Sequence, residues 1–191
     1  MTTIYFIRHA ESDYSVRNSR IRPLTEKGMA DRSLVTKFLN DKNIDIVLSS
    51  PYKRAVDTLA DFADKHKFDI YEIEDFHEIK SNAGKIPEED FSAIVKRFWL
   101  DFNYRIQGGE SLAECQKRNI EALEKVLDQH SGKNVAIGTH GIALAAILNY
   151  YDSSFGFDEH MQMSFIFPWV VKMMFDKNKC IKIERDLLKG V

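Results

Sequence analysis

Ile4-Tyr5-Phe6-Ile7 is a run of apolar, β-prone residues that stops at Arg8-His9. A short run without alternation reads as a strand buried on both faces, which needs helices above and below it. The pattern recurs along the chain. Ile44, Ile46, Val47 and Leu48 end at Ser49-Ser50-Pro51, about Asp69–Ile73 forms a third run, and Val135-Ala136-Ile137-Gly138 ends at Thr139-His140-Gly141. Helical signals lie between them. Thr25 is the expected N-cap of a helix with an apolar face at Leu34, Val35, Phe38 and Leu39. Ser50 and Pro51 read as N-cap and first position of a second helix, continued by Ala55, Leu59, Phe62 and Ala63. Ser111 and Glu114 match a capping box opening a helix to His130, and another runs from Thr139 to about Tyr151. The tail reads as strands over about Met163–Phe167, Val170–Phe175 and Cys180–Arg185, with Asp176-Lys177-Asn178-Lys179 as the last turn.

This order predicts an α/β fold: a mostly parallel central sheet with helices on both faces, an antiparallel C-terminal portion and a small cap insertion. The 191 residues read as one domain, with the cap at about 79–110 and a helix over about Glu88–Asn103. The aromatic residues Phe91, Phe98, Trp99, Phe102 and Tyr104 either pack the cap onto the body or line an entrance.

The 27 basic and 29 acidic residues give a formal charge of -2, without the basic footprint of a nucleic-acid or anionic-membrane binder. The apolar run Ile142–Leu148 is too short to span a bilayer. The N-terminus has no signal-peptide pattern, and Cys115 and Cys180 form no CxxC pair, so a cytoplasmic protein with reduced thiols is expected. There is no GxGxxG, no GK[ST] and no HExxH; Gly132-Lys133-Asn134 is only a turn before a strand. The expectation is therefore no metal and no cofactor.

In open α/β sheets ligands bind beyond the carboxyl ends of the strands. Three of these strands end in Arg8-His9, in Ser49-Ser50-Pro51 with Arg54 one turn into the next helix, and in Thr139-His140-Gly141. Any one of these residues alone is usually an ion-pair partner or a structural histidine. At equivalent topological positions, beside two helix N-termini, they describe a phosphate pocket.

These residues carry a resemblance. Ile7-Arg8-His9-Ala10-Glu11 is similar to the Arg-His-Gly signature of the histidine phosphatase superfamily, the phosphoglycerate mutase-like family, with Ala10 where glycine is commonest. Ser49–Thr58, containing Arg54, resembles its second signature, and Pro23-Leu24-Thr25-Glu26-Lys27-Gly28 the usual start of its first helix. Phe76-His77-Glu78-Ile79 resembles the segment bearing the proton-donating carboxylate. Gly108-Gly109-Glu110-Ser111 and Thr139-His140-Gly141 complete the family order. The resemblance implies a metal-independent phosphatase acting on a small phosphorylated metabolite or a phosphoprotein. His9 would attack phosphorus, Arg8, Arg54 and His140 would hold the phosphoryl oxygens, and Glu78 would supply the proton, with Glu72, Glu74 and Asp75 as alternative carboxylates. The chemistry suits these residue types: a phosphate monoester, with charge of roughly -1.5 to -2, repels anionic nucleophiles but accepts attack by a neutral imidazole in a cationic pocket. A mutase and a non-catalytic phospho-ligand binder are the rival readings. Tyr14-Ser15 stands where such mutases tend to carry Trp-Asn, and the insert is short for a closing cover. Arg20, Arg22 and Lys80 either add charge at the mouth or are solvated surface residues.

Overall fold

A computed structural model describes residues 1–80, 91–185 and 188. The expected alternation is present: β1 (Thr2–Arg8), α1 (Glu26–Leu39), β2 (Ile46–Ser49), α2 (Lys53–His66), β3 (Ile70–Glu72), α3 (Phe91–Leu100), α4 (Leu112–Gln129), β4 (Asn134–Thr139), α5 (Gly141–Tyr151), α6 (Phe157–Met163), β5 (Trp169–Asp176) and β6 (Lys179–Glu184). Among the described residues the strands form one sheet in the order β3-β2-β4-β1-β5-β6. The first four are parallel; β5 runs antiparallel to both its neighbours, β1 and β6.

Every residue of β1 is buried, as its unbroken apolar run requires. Side chains alternate across a strand, so Ile4 and Phe6 join the α4–α5 side with Leu123, Val126, Leu144 and Leu148, whereas Tyr5 and Ile7 join the α1–α2 side with Val35, Leu39, Leu59 and Phe62. Cutting one of these fully buried side chains, such as Leu59 or Leu123, to alanine costs about 2–5 kcal/mol.

Two of the three expected caps form: Thr25 Oγ1 accepts from Gly28 N at 3.0 Å, and Ser111 and Glu114 close the capping box on α4. A Cβ on Gly28 would lie 2.1 Å from the Glu11 carbonyl oxygen, so only glycine lets α1 start against the segment that follows His9.

Two local expectations are corrected. Ser50 is not the N-cap of α2; that helix starts at Lys53 with Tyr52 at the cap position and no side-chain cap. The Ser50 hydroxyl is engaged elsewhere, 2.7 Å from His140 Nε2. Met163–Phe167 is not a strand: Met163 closes the two-turn helix α6, and the sheet resumes at Trp169. In the insert, the helix expected over about Glu88–Asn103 is found as α3 but ends at Leu100, with 101–103 in a turn, and residues 88–90 lie outside the described residues. Phe98, Trp99, Phe102 and Tyr104 pack with Leu112, Ile142 and Ala146, so these four are packing residues; Phe91 is exposed.

Candidate active site

The strand register brings the reactive residues level. In β1 and β4 Arg8 is opposite Thr139, and in β2 and β4 Ser49 is opposite Gly138. Just past these pairs, His9 N donates to Thr139 O at 3.1 Å and Ser50 N donates to Gly138 O at 2.8 Å. Three strand ends therefore turn into loops at one height, and His9, Ser50 and His140 sit side by side.

His9 is buried, with Nδ1 2.7 Å from the Ala10 carbonyl oxygen. A carbonyl only accepts, so Nδ1 carries the proton and Nε2 keeps its lone pair. Burial, then Arg54 and Arg8, push the His9 pKa well below the ordinary imidazole value, which keeps the ring neutral. Ala10 avoids positive φ, which explains why alanine is tolerated here. Its N–H donates to Thr58 Oγ1 at 2.9 Å, and Thr58 donates in turn to the Arg54 carbonyl at 2.7 Å. That pair ties the His9 loop to the first turn of α2.

His140 is fully buried, its ring centroid 5.4 Å from that of His9. The Ser50 hydroxyl, which also accepts from Tyr52 N at 3.3 Å, has its proton free for His140 Nε2. That arrangement places the ring's single N–H on Nδ1, which has no partner among the described residues. Burial, then Arg54 and His9, hold His140 well below its ordinary pKa.

The two arginines are held by carbonyls rather than carboxylates. Arg8 donates to Met163 O at 2.6 Å and Ile166 O at 3.3 Å, with its guanidinium 3.8 Å from the Phe167 ring centroid. Arg54 donates to Ser19 O at 2.6 Å and lies 5.1 Å from the Tyr52 ring. The Nε atoms of both have no partner among the described residues. Burial lowers each to about 10, so both remain cations at neutral pH. Charge uncompensated by a bonded carboxylate, together with unpartnered donors, makes the pocket receptive to an anion.

Glu78 reaches the same place from the segment after β3. Its Oε1 accepts from Ile79 N at 2.9 Å and Ala143 N at 3.0 Å, and Oε2 accepts from Ile142 N at 3.2 Å, so the carboxylate sits on the first turn of α5, next to His140. Of the alternatives, Glu74 forms a two-pronged ion pair with Arg20, Glu72 is exposed at the end of β3, and Asp75 is only half-buried with its carbonyl held by Arg118. Arg118 also bonds His77 O at 3.0 Å and Glu110 at 2.8 Å, clamping the Glu78 segment to α4.

The structure thus gathers Arg8, His9, Arg54, Glu78 and His140 around one spot. Sequence reasoning placed Ser50 at the crevice but missed its bond to His140, and it missed Thr58, Phe167 and Arg118 as parts of this assembly. Ser50 and Thr58 carried a signal, since they flank Arg54 in the quoted motif. Phe167 and Arg118 carried none, because their roles arise from long-range packing. Among the described residues no group of three or more His, Cys, Asp or Glu side chains is placed to hold a metal ion, and no helix is long and apolar enough to cross a membrane.

Fold and site together define an α/β protein with a buried, cationic, two-histidine pocket at the carboxyl edge of its sheet. The family model of the histidine phosphatase superfamily (branch 1) matches residues 4–163, and the chain belongs to that family. Among its relatives, "Phosphoserine phosphatase 1" of Hydrogenobacter thermophilus is 27% identical over 77% of this chain and 74% of that protein. The "Metal-independent phosphoserine phosphatase" of Arabidopsis thaliana is 30% identical over 77% and 67%, and a 2,3-bisphosphoglycerate-dependent phosphoglycerate mutase of Gloeobacter violaceus is 27% identical over 80% and 76%. Among solved structures, Bacillus stearothermophilus YhfR is 26% identical with a TM-score of 0.79, covering 95% of each chain. A phosphoserine phosphatase of Entamoeba histolytica, 19% identical, superposes with a TM-score of 0.78 over 99% and 98%, a likeness in fold.

Proposed function

We propose that this protein hydrolyses phosphate monoesters of small metabolites without a metal ion, through a phosphohistidine on His9. The observation that carries the reading is the His9 bond to Ala10: it turns Nε2, the nucleophilic nitrogen, away from the backbone and keeps the ring in the reactive tautomer. Nε2 attacks phosphorus while the ester bond breaks. Arg8, Arg54 and His140 Nδ1 donate to the three equatorial oxygens as charge spreads over them. Glu78 gives a proton to the leaving alkoxide. Its Oε2, with one bond longer than the two on Oε1, is the oxygen with a lone pair to spare for that proton. In the second step Glu78 takes a proton from water, which attacks the phosphohistidine and releases inorganic phosphate. The insert at about 79–110 serves as a cap of the same domain. Relatives named as phosphoserine phosphatases support a small phosphorylated metabolite over a phosphoprotein.

The mutase relative supports a second acceptor in place of water. One preparation, exhaustively chelated, separates the readings. Phosphate release from an aryl phosphate should persist, and isomerisation of 3-phosphoglycerate primed with 2,3-bisphosphoglycerate should be negligible. Activity lost on chelation and restored by metal overturns the metal-independent mechanism, and isomerisation outrunning release by about tenfold overturns hydrolysis.

A further inference from the structure

Arg8 and Arg54 are both held by carbonyls, but only Arg8 has an aromatic ring close against its plane. Its guanidinium carbon lies 3.8 Å from the Phe167 ring centroid, against 5.1 Å between Arg54 and Tyr52. The sheet brings Phe167 there. β1 and β5 run antiparallel with Arg8 opposite Trp169, so the residues just before β5 meet those at the end of β1. The chain enters β5 from α6 through a turn in which Ile166 N donates to Met163 O at 3.0 Å. One short segment thus sets two carbonyls and one ring around the same side chain.

The hydrogen bonds of the Arg8 side chain among the described residues all leave from Nη1. They run to Met163 O at 2.6 Å, to Ile166 O at 3.3 Å and, more weakly, to Met163 Sδ at 3.9 Å. Bonds that share one nitrogen leave the rest of the group free to swing about it. The ring supplies the missing constraint, because a guanidinium stacks on an aromatic face and its charge is attracted to the ring. Nε and Nη2 form a fork on the side away from Nη1. Nε has no partner among the described residues. A Cβ on Gly141 would lie 3.4 Å from both atoms, so the fork lies against the first residue of α5, beside His140. Phe167 is half-buried, whereas Arg8 and His9 are buried, and its ring centroid is 5.8 Å from that of His9. The ring is an outer layer over two buried groups of the site.

We propose that Phe167 is a positioning residue: by stacking on Arg8 it holds the Nε–Nη2 fork in the plane that meets the phosphoryl oxygens. This assignment rests on the phosphatase reading only for Arg8 as a donor to the phosphoryl group. Because Phe167 acts through Arg8, its effect is the same whatever the leaving group.

Orthophosphate is the probe, since its binding needs no turnover. Phe167→Leu, which keeps apolar bulk but has no aromatic face, should weaken phosphate binding about tenfold, and Phe167→Tyr should stay within about twofold of wild type. In an Arg8→Met background, where Arg54 and His140 remain as donors, Phe167→Leu should weaken it no further. The fall in kcat/KM should be similar for alkyl and aryl phosphates. If Arg8→Met binds phosphate too weakly to titrate, the leucine–tyrosine contrast and the two substrate classes decide. Equal weakening by leucine in both backgrounds, a loss with tyrosine as large as with leucine, or a loss that follows the leaving group overturns the proposal. The expected binding pattern in a protein that hydrolyses no monoester leaves Phe167 standing and ends the phosphatase reading. Hydrolysis without that pattern sinks Phe167 and leaves the phosphatase reading in place.

Discussion

Two regions of this molecule bury histidines among aromatic rings, and only one of them is fitted for chemistry. At the sheet edge, His9 and His140 each bond through one nitrogen, to Ala10 O and Ser50 Oγ, and the other faces a pocket lined by two arginines. At the joint between α3 and α6, His160 Nδ1 accepts from Trp99 Nε1 at 3.0 Å, with Phe155 against the same indole. Burial depresses all three, His160 to about 3. A shifted histidine pKa therefore does not mark function by itself. What the ring faces decides: cations and unpartnered donors on one side, an apolar joint on the other.

The widest separation between the two regions is expected from His9→Ala. Turnover should fall by about 10,000-fold or more while circular dichroism shows an intact fold, since the proposed nucleophile has no substitute. Arg54→Ala should come next, with losses of about 100- to 1,000-fold on alkyl and aryl phosphates alike, because in the proposed mechanism it holds the phosphoryl group itself. Glu78→Gln should cost about 100-fold on alkyl phosphates and spare the transfer step from aryl phosphates with acidic phenols, seen as a burst. Equal damage to both classes would move the acid role away from Glu78.

Effects at the α3–α6 joint should appear in stability instead. An unfolded histidine binds a proton near pH 6.5, so a folded histidine held neutral contributes stability that is whole above that pH and lost as pH falls toward its folded value. For His160, falling from ordinary to about 3, the loss is about 2 kcal/mol at pH 5, and His9 and His140 add in the same direction. Urea midpoints at pH 7 and pH 5 measure this slope, and His160→Gln should flatten part of it; an unchanged slope would mean that His160 is not held neutral. Trp99→Phe should change kcat least of all these variants, and should cost about 1–3 kcal/mol of stability by removing the donor to a buried ring nitrogen.

Arg8, His9, Arg54 and His140 were legible in the sequence because strand ends place residues by topology, and a parallel sheet turns linear spacing into proximity. Glu78 was legible only through motif order, since four carboxylates crowd residues 72–78. The hold on Arg8 was not legible: it comes from the carbonyls of Met163 and Ile166, and a carbonyl has no residue identity. The helix carrying Met163 also escaped notice. Phe157–Met163 spans two turns, and Phe165, Ile166 and Phe167 beyond it mimic a strand although Phe165 is largely exposed. Ser50 was read as a cap because Ser-Pro before a helix usually is one; tertiary demand from His140 overrode that local habit.

The claim that His9 Nε2 is the nucleophile is tested most directly by mixing enzyme and an aryl phosphate, quenching in alkali within the first turnover, and mapping the phosphoryl group by mass spectrometry. The account predicts an alkali-stable, acid-labile phosphoryl group on His9, formed at the burst rate and absent from His9→Ala. An active enzyme whose phosphoryl group sits on any other residue, or a His9→Ala variant that still turns over, would contradict it.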